Sequence, residues 1–176
     1  LANQQAQEAS QAYAAALQQR AEFGTLLKLG RTYVVMERWL EARRFFEAAI
    51  RERPDLPAGY AALADSYFRQ QQYGPALNWY EQALTREETN PQPVLIRLGQ
   101  SLAGLDRWAE AEARYAQATE AKPDDPAAWV RLGEARCRLG RPAAAKEAYH
   151  QALALGYTGD PVRQAVEQLN HSGVCP

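Results

Sequence analysis

The side chains in this sequence that could ligate a metal, attack an electrophile or move a proton are few: two histidines, two cysteines and some adjacent acids. His150 falls on a helical stretch and His171 near the C-terminus. Neither has partners at ligand spacing, so both read as surface residues. Cys137 and Cys175 form no CxxC-type thiolate site. They leave open one disulfide, in an oxidising compartment, or two free thiols. Because Cys175 lies in a short terminal segment expected to fray, the reading favours thiols. Glu87-Glu88 and Asp124-Asp125 fall in turns, where paired acids are solvated charge rather than an acid–base couple. There is no glycine-rich phosphate loop and no nucleophile elbow. Asn170-His171-Ser172 has the form of a glycosylation acceptor but stands alone in a tail. The expectation is a chain with no catalytic site, no metal and no cofactor.

Composition excludes further classes. The 176 residues are 47% hydrophobic with a formal net charge of −1, enough apolar matter for a core and no overall bias toward nucleic acid. No apolar run approaches the roughly 20 residues of a membrane span, so direct membrane insertion is not expected. The chain begins at Leu1 rather than Met, which reads as a processed start or a piece of a longer protein.

What would position any functional group is a repeat. Leu-Gly recurs at Leu29-Gly30, Leu98-Gly99 and Leu132-Gly133, with Leu63-Ala64 between, at Leu spacings of 34, 35 and 34. A large apolar residue stands three before each Leu: Leu26, Tyr60, Leu95 and Trp129. Tyr33, Tyr67, Leu102 and Arg136 stand three after each small residue. A small-aromatic-small triad follows as Ala42/Phe46/Ala49, Ala76/Tyr80/Ala83, Ala111/Tyr115/Ala118 and Ala145/Tyr149/Ala152. Each unit thus holds two stretches of helical period around a short, mostly polar turn. A glycine inside a helix costs roughly 1 kcal/mol relative to alanine, which makes sense where a partner helix must approach closely. The aromatic is expected to fill the space where one hairpin stacks on the next. Trp39, Trp79, Trp108 and Trp129 fall within this frame and read as packing. Pro57, Pro91, Pro126 and Pro161 suit first helical turns, with Asn90, Asp125 and Asp160 as N-cap candidates. The extra residue of the third unit falls in or near the turn 89–93.

This pattern closely resembles the tetratricopeptide repeat family. Its signature is matched at Trp129, Leu132, Gly133, Ala145, Tyr149 and Ala152, and equivalently in the other three units. Pro54 and Pro123 match its terminal proline, which is absent at Glu88-Thr89 and at Tyr157. Arg136 replaces the usual aromatic of the first helix. The resemblance implies an all-α, right-handed superhelical solenoid of antiparallel helix pairs. The expected units are 23–56, 57–91, 92–125 and 126–159. A half-repeat precedes them at 1–22, carried by Ala9, Tyr13, Ala16 and Leu17, and a capping helix follows at 160–170. That helix turns Val162, Ala165, Val166 and Leu169 inward, and 171–176 reads as a flexible tail.

In that family the first helices line a concave groove. Carried over, the groove residues are Leu27, Arg31, Val34, Asp65, Phe68, Arg69, Ile96, Gln100, Val130, Glu134 and Arg138, with Ala61, Ala103 and Cys137 among them and Lys28, Arg97 and Arg131 nearby. Phe68 stands out, since an aromatic there is poorly explained by core packing. The first helices carry an excess of bases and the second helices an excess of acids. The implied function is a non-catalytic scaffold or adaptor binding an extended or helical peptide with apolar and acidic residues, not nucleic acid. Its setting would be a bacterial assembly or secretion system, in cytoplasm or periplasm. A self-associating oligomerisation module and a regulatory domain of a larger enzyme are the alternatives. The pairs Leu27/Arg31, Ala61/Asp65 and Ile96/Gln100 lack the Lys and Asn with which some family members clamp acidic chaperone tails.

Overall fold

Each turn inside a repeat has the same backbone. Its middle residue lies in the left-handed region: Glu37 at φ 56°, Gln71 at 56°, Asp106 at 62° and Gly140 at 68°. The next residue donates its N–H back to the first helix, as Arg38 to Tyr33 (2.9 Å), Gln72 to Tyr67 (3.0 Å), Arg107 to Leu102 (2.9 Å) and Arg141 to Arg136 (2.9 Å). This closure satisfies a carbonyl that the helix end leaves open. Only the fourth turn uses glycine; the other three accept the strain of a side chain at positive φ.

The computed structural model describes Glu8, Gln11, residues 22–87 and residues 90–175, and the expected half-repeat at 1–22 lies almost wholly outside them. The chain divides into two compact units, residues 1–88 and 89–176. In unit 1, α1 (Phe23–Val35) pairs with α2 (Trp39–Glu52), and α3 (Pro57–Arg69) with α4 (Tyr73–Leu84). In unit 2, α5 (Gln92–Gly104) pairs with α6 (Trp108–Ala121) and α7 (Pro126–Arg138) with α8 (Pro142–Ala154), and α9 (Asp160–Ser172) packs on α8. The described residues include no strand. This is an all-α helical-repeat architecture.

The repeated small residue is explained by its neighbour. A Cβ built at Gly30, Gly99 or Gly133 would overlap the ring of Phe46, Tyr115 or Tyr149. The aromatic of the second helix therefore sits on the first helix of its own hairpin, and is not reserved for the junction between hairpins as the spacing suggested. Leu29, Leu63, Leu98 and Leu132 beside these positions are fully buried, each stabilising the fold by about 1.5–3 kcal/mol. Between hairpins, polar ties add to apolar packing such as that of Leu27, Phe46 and Ala49 with Ala62 and Leu63. Tyr60 Oη donates to the Pro54 carbonyl (3.1 Å), and Trp129 Nε1 donates to that of Pro123 (2.9 Å). The family's terminal proline thus ends one repeat and anchors the aromatic of the next.

Three expectations need correction. Of the N-cap candidates, only Asp125 caps a helix, accepting from the Ala127 N–H at 2.9 Å. The extra residue moves the start of α5 past Pro91, so Pro91 occupies the cap position, while Asp160 is the first residue of α9 rather than its cap. The C-terminal segment is not a free tail: α9 runs to Ser172, and Cys175 is bonded to Cys137. Arg136, in place of an aromatic, packs well. Its guanidinium donates to Glu112 (3.2 Å) and to the Ala144 carbonyl (3.1 Å), and Arg141 holds the other Glu112 oxygen at 2.6 Å.

Candidate functional site

On α1, residues 31, 34 and 35 share one face, as do 58, 61, 62, 65 and 69 on α3, because helical neighbours recur every three or four positions. Where these faces meet, unit 1 holds a pocket of about 450 Å³. Its walls are Arg31, Val34 and Val35 from α1 and Ala58, Ala61, Ala62, Asp65, Ser66 and Arg69 from α3; the Phe46 ring of α2 also lines it. The concavity comes from the three alanines, whose methyl groups leave the space that larger side chains would fill. Val35 is 64% exposed at the edge, an apolar side chain left in water.

The charges of this pocket are unevenly engaged. Asp65 accepts a hydrogen bond from the Tyr80 hydroxyl, and Ser66 Oγ is turned inward onto the Leu63 carbonyl at 2.6 Å. Arg31 and Arg69 are exposed and have no ion-pair partner among the described residues. Two guanidiniums therefore face an apolar surface on which one carboxylate is already in use. Such forks bind carboxylates with two parallel hydrogen bonds.

The remaining expected groove residues are placed differently. Leu27 is 9% exposed and belongs to the unit 1 core with Leu26, Phe46 and Leu63. Phe68 meets Tyr73 edge-on, with ring centroids 5.4 Å apart, so packing does explain it. In unit 2, Val130 is 6% exposed, within a core that includes Tyr149, Val162 and Leu169. Both apolar residues are lost to the groove for one reason: each faces the neighbouring hairpin or cap, not solvent. Ile96 is half-buried on α5, and Gln100 accepts from Arg97 at 3.2 Å. Glu134 pairs with Arg131 at 2.8 Å, and Arg138 lies 5.2 Å from the Trp108 ring centroid. Glu134 and Arg138, with Cys137 and Tyr149, line a smaller depression of about 170 Å³. Burial pushes the Tyr149 phenol up to about 12 and the Tyr115 phenol higher still, with the Glu134 carboxylate adding to both. Both hydroxyls remain neutral at physiological pH.

Val35, Phe46, Ala58, Ala62 and Ser66 were missed in the sequence as pocket residues. The available signal was the run of small residues at 58, 61 and 62, on the helix face that also carries Asp65 and Arg69. Among the described residues, no three His, Cys, Asp or Glu side chains are placed to hold a metal ion, and no helix is long and apolar enough to cross a membrane.

Paired helices in register, small residues under aromatic rings and a pocket between successive first helices define a helical-repeat protein. The tetratricopeptide repeat profile matches residues 27–92 and 96–161, and the chain belongs to that family. Repeats of this kind generally serve as protein–protein interaction scaffolds. The chain is 26% identical over 132 residues to the protein O-mannosyl-transferase TMTC1 of Mus musculus; the match takes in 73% of the chain and 14% of that much longer protein. Among solved structures it resembles YrrB, described as a repeat protein of this family with an unusual peptide-binding site. The TM-score is 0.71 at 17% identity, over 84% of this chain and 76% of that one. It also resembles pilF of Pseudomonas aeruginosa, with a TM-score of 0.72 at 24% identity over 96% and 70%. At such identities these likenesses speak to fold alone.

Proposed function

We propose that this chain is a non-catalytic scaffold that holds a peptide segment of a partner protein on its first-helix faces. The observation that carries the reading is the unit 1 pocket, with an apolar floor and the two exposed guanidiniums of Arg31 and Arg69 at its rim. An aliphatic or aromatic side chain of the peptide enters over Ala58, Ala61 and Ala62, and neighbouring Asp or Glu carboxylates meet the arginines. Arg138, above Trp108, offers a further cation on unit 2. The peptide-binding site named for YrrB, a protein of the same fold, supports the reading. A bacterial assembly or secretion system is the setting we favour, on the family resemblance.

The test is calorimetric titration of the chain with short peptides carrying one Leu or Phe anchor flanked by Glu, against the same peptides with Gln. The Glu peptides should bind tighter by on the order of tenfold or more, the worth of one charge-assisted hydrogen bond. Arg31→Glu combined with Arg69→Glu should abolish that binding and leave the circular dichroism unchanged. Equal affinity for Glu and Gln peptides, or binding that survives the double reversal, would overturn the assignment.

A further inference from the structure

Beyond the pocket, one covalent feature of unit 2 is unused by any binding role: the bridge between Cys137 on α7 and Cys175 beyond α9. The two Cα atoms lie 5.4 Å apart and the residues 38 apart in sequence, so the bridge encloses all of α8 and α9 in one loop. Helix α9 has no side-chain cap at its N-terminus. It is held on the last hairpin by four modest side chains, Val162, Ala165, Val166 and Leu169, packed against Val130, Ala145, Tyr149 and Ala152, with the partly buried Trp129, Leu153 and Tyr157 beside them. Ordering its 13 residues costs more than the burial of these few side chains returns, so packing alone holds the helix weakly. The chain then turns at Gly173, in the left-handed region at φ 67°, whose N–H returns to the Leu169 carbonyl at 3.1 Å. The Val174 N–H is donated to Ser172 Oγ at 3.3 Å. This turn brings Cys175 to the inner helix α7, beside the depression lined by Glu134, Cys137, Arg138 and Tyr149.

We infer that Cys137–Cys175 is a thiol–disulfide exchange site that decides whether α9 stays docked on unit 2. Its reaction partner is a dithiol, either a small reductant or the dithiol of an oxidoreductase. One thiolate of the dithiol attacks a sulfur of the bridge, and the S–S bond breaks as a mixed disulfide forms. The second thiolate then displaces the protein sulfur. Two electrons and two protons end on Cys137 and Cys175 as thiols, and the dithiol leaves as a disulfide. Oxidised, the loop is closed and α9 covers Val130, Tyr149 and Ala152. Reduced, the helix keeps only its side-chain packing, which does not hold it; it undocks and uncovers that face, while the four hairpins stay folded. Such a bridge persists in an oxidising compartment and opens in a glutathione-buffered one.

The experiment is hydrogen exchange read by mass spectrometry on the full chain, oxidised and after dithiothreitol with thiol alkylation. Thiols are counted in both states. The oxidised chain should show none, and reduction should speed exchange of residues 160–172 by on the order of tenfold or more, with 23–154 unchanged. Cys137→Ser with Cys175→Ser should exchange as the reduced chain does and ignore dithiothreitol. Two free thiols under air oxidation, equal exchange of α9 in both redox states, or loss of protection throughout the hairpins would each overturn the inference.

Discussion

In unit 1, Arg31 and Arg69 stand at the rim of an open pocket with no ion-pair partner among the described residues. In unit 2, Arg131 holds Glu134, Arg136 and Arg141 share Glu112, and Arg138 lies over Trp108. The hairpins have the same backbone turns, and three of the four place a ring on a glycine, at Gly30 in unit 1 and at Gly99 and Gly133 in unit 2. The difference lies in the side chains that each half carries on the shared frame. On α3 the residues at 58, 61 and 62 are alanines that leave a hollow. In unit 2 the matching positions are Ala127, Val130 and Arg131, of which Val130 is buried in the core shared with α9 and Arg131 pairs with Glu134. One repeat plan therefore yields a first-helix face in unit 1 on which Arg31 and Arg69 lack a carboxylate among the described residues and one in unit 2 on which Arg131 is paired. The first is the face proposed to meet a partner's carboxylates.

The feature common to both halves gives the largest expected effect. Gly30→Val and Gly133→Val should each destabilise by about 1–3 kcal/mol through overlap with Phe46 and Tyr149, measured by urea denaturation. A neutral result at one site and not the other would show that the two halves do not share this packing. The contrast itself is sharpened by arginine truncation. Arg136→Ala should cost on the order of 1–2 kcal/mol, because Glu112 is largely shielded and loses one of its two partners. Arg31→Ala and Arg69→Ala should stay within about 0.5 kcal/mol of the parent. Equal costs would erase the distinction drawn between the halves. The smallest effect is alkaline. Tyr149, raised to about 12 by burial, holds its proton more tightly folded than unfolded. Its contribution to stability is complete below the ordinary tyrosine pKa near 10 and is lost as pH rises from there toward 12. Phenolate absorbance should show it titrating above the ordinary tyrosine range, and Tyr149→Phe should flatten that part of the pH–stability curve.

Much of this was legible in the sequence. Leu29, Leu63, Leu98 and Leu132 marked the register of four hairpins, and the spacing of the glycines from the aromatics carried the packing rule, although the ring turned out to rest on its own hairpin. The candidate site was legible in part. Arg31, Val34, Asp65 and Arg69 do share the pocket, since residues three or four apart on a helix share a face whatever surrounds them. Leu27 and Val130 were misplaced because helical spacing cannot tell a face turned to solvent from one turned to the next hairpin or cap.

The sequence by itself determined the helices, their pairing into hairpins and the family, because these follow from local period, turn chemistry and close contacts between residues within about 35 positions of one another. Only the tertiary structure decided which arginines remain without a carboxylate, where three alanines leave a hollow, and that Cys175 reaches Cys137. Each of these depends on which side chains of separate helices meet, and burial and charge pairing are properties of that meeting rather than of any one helix.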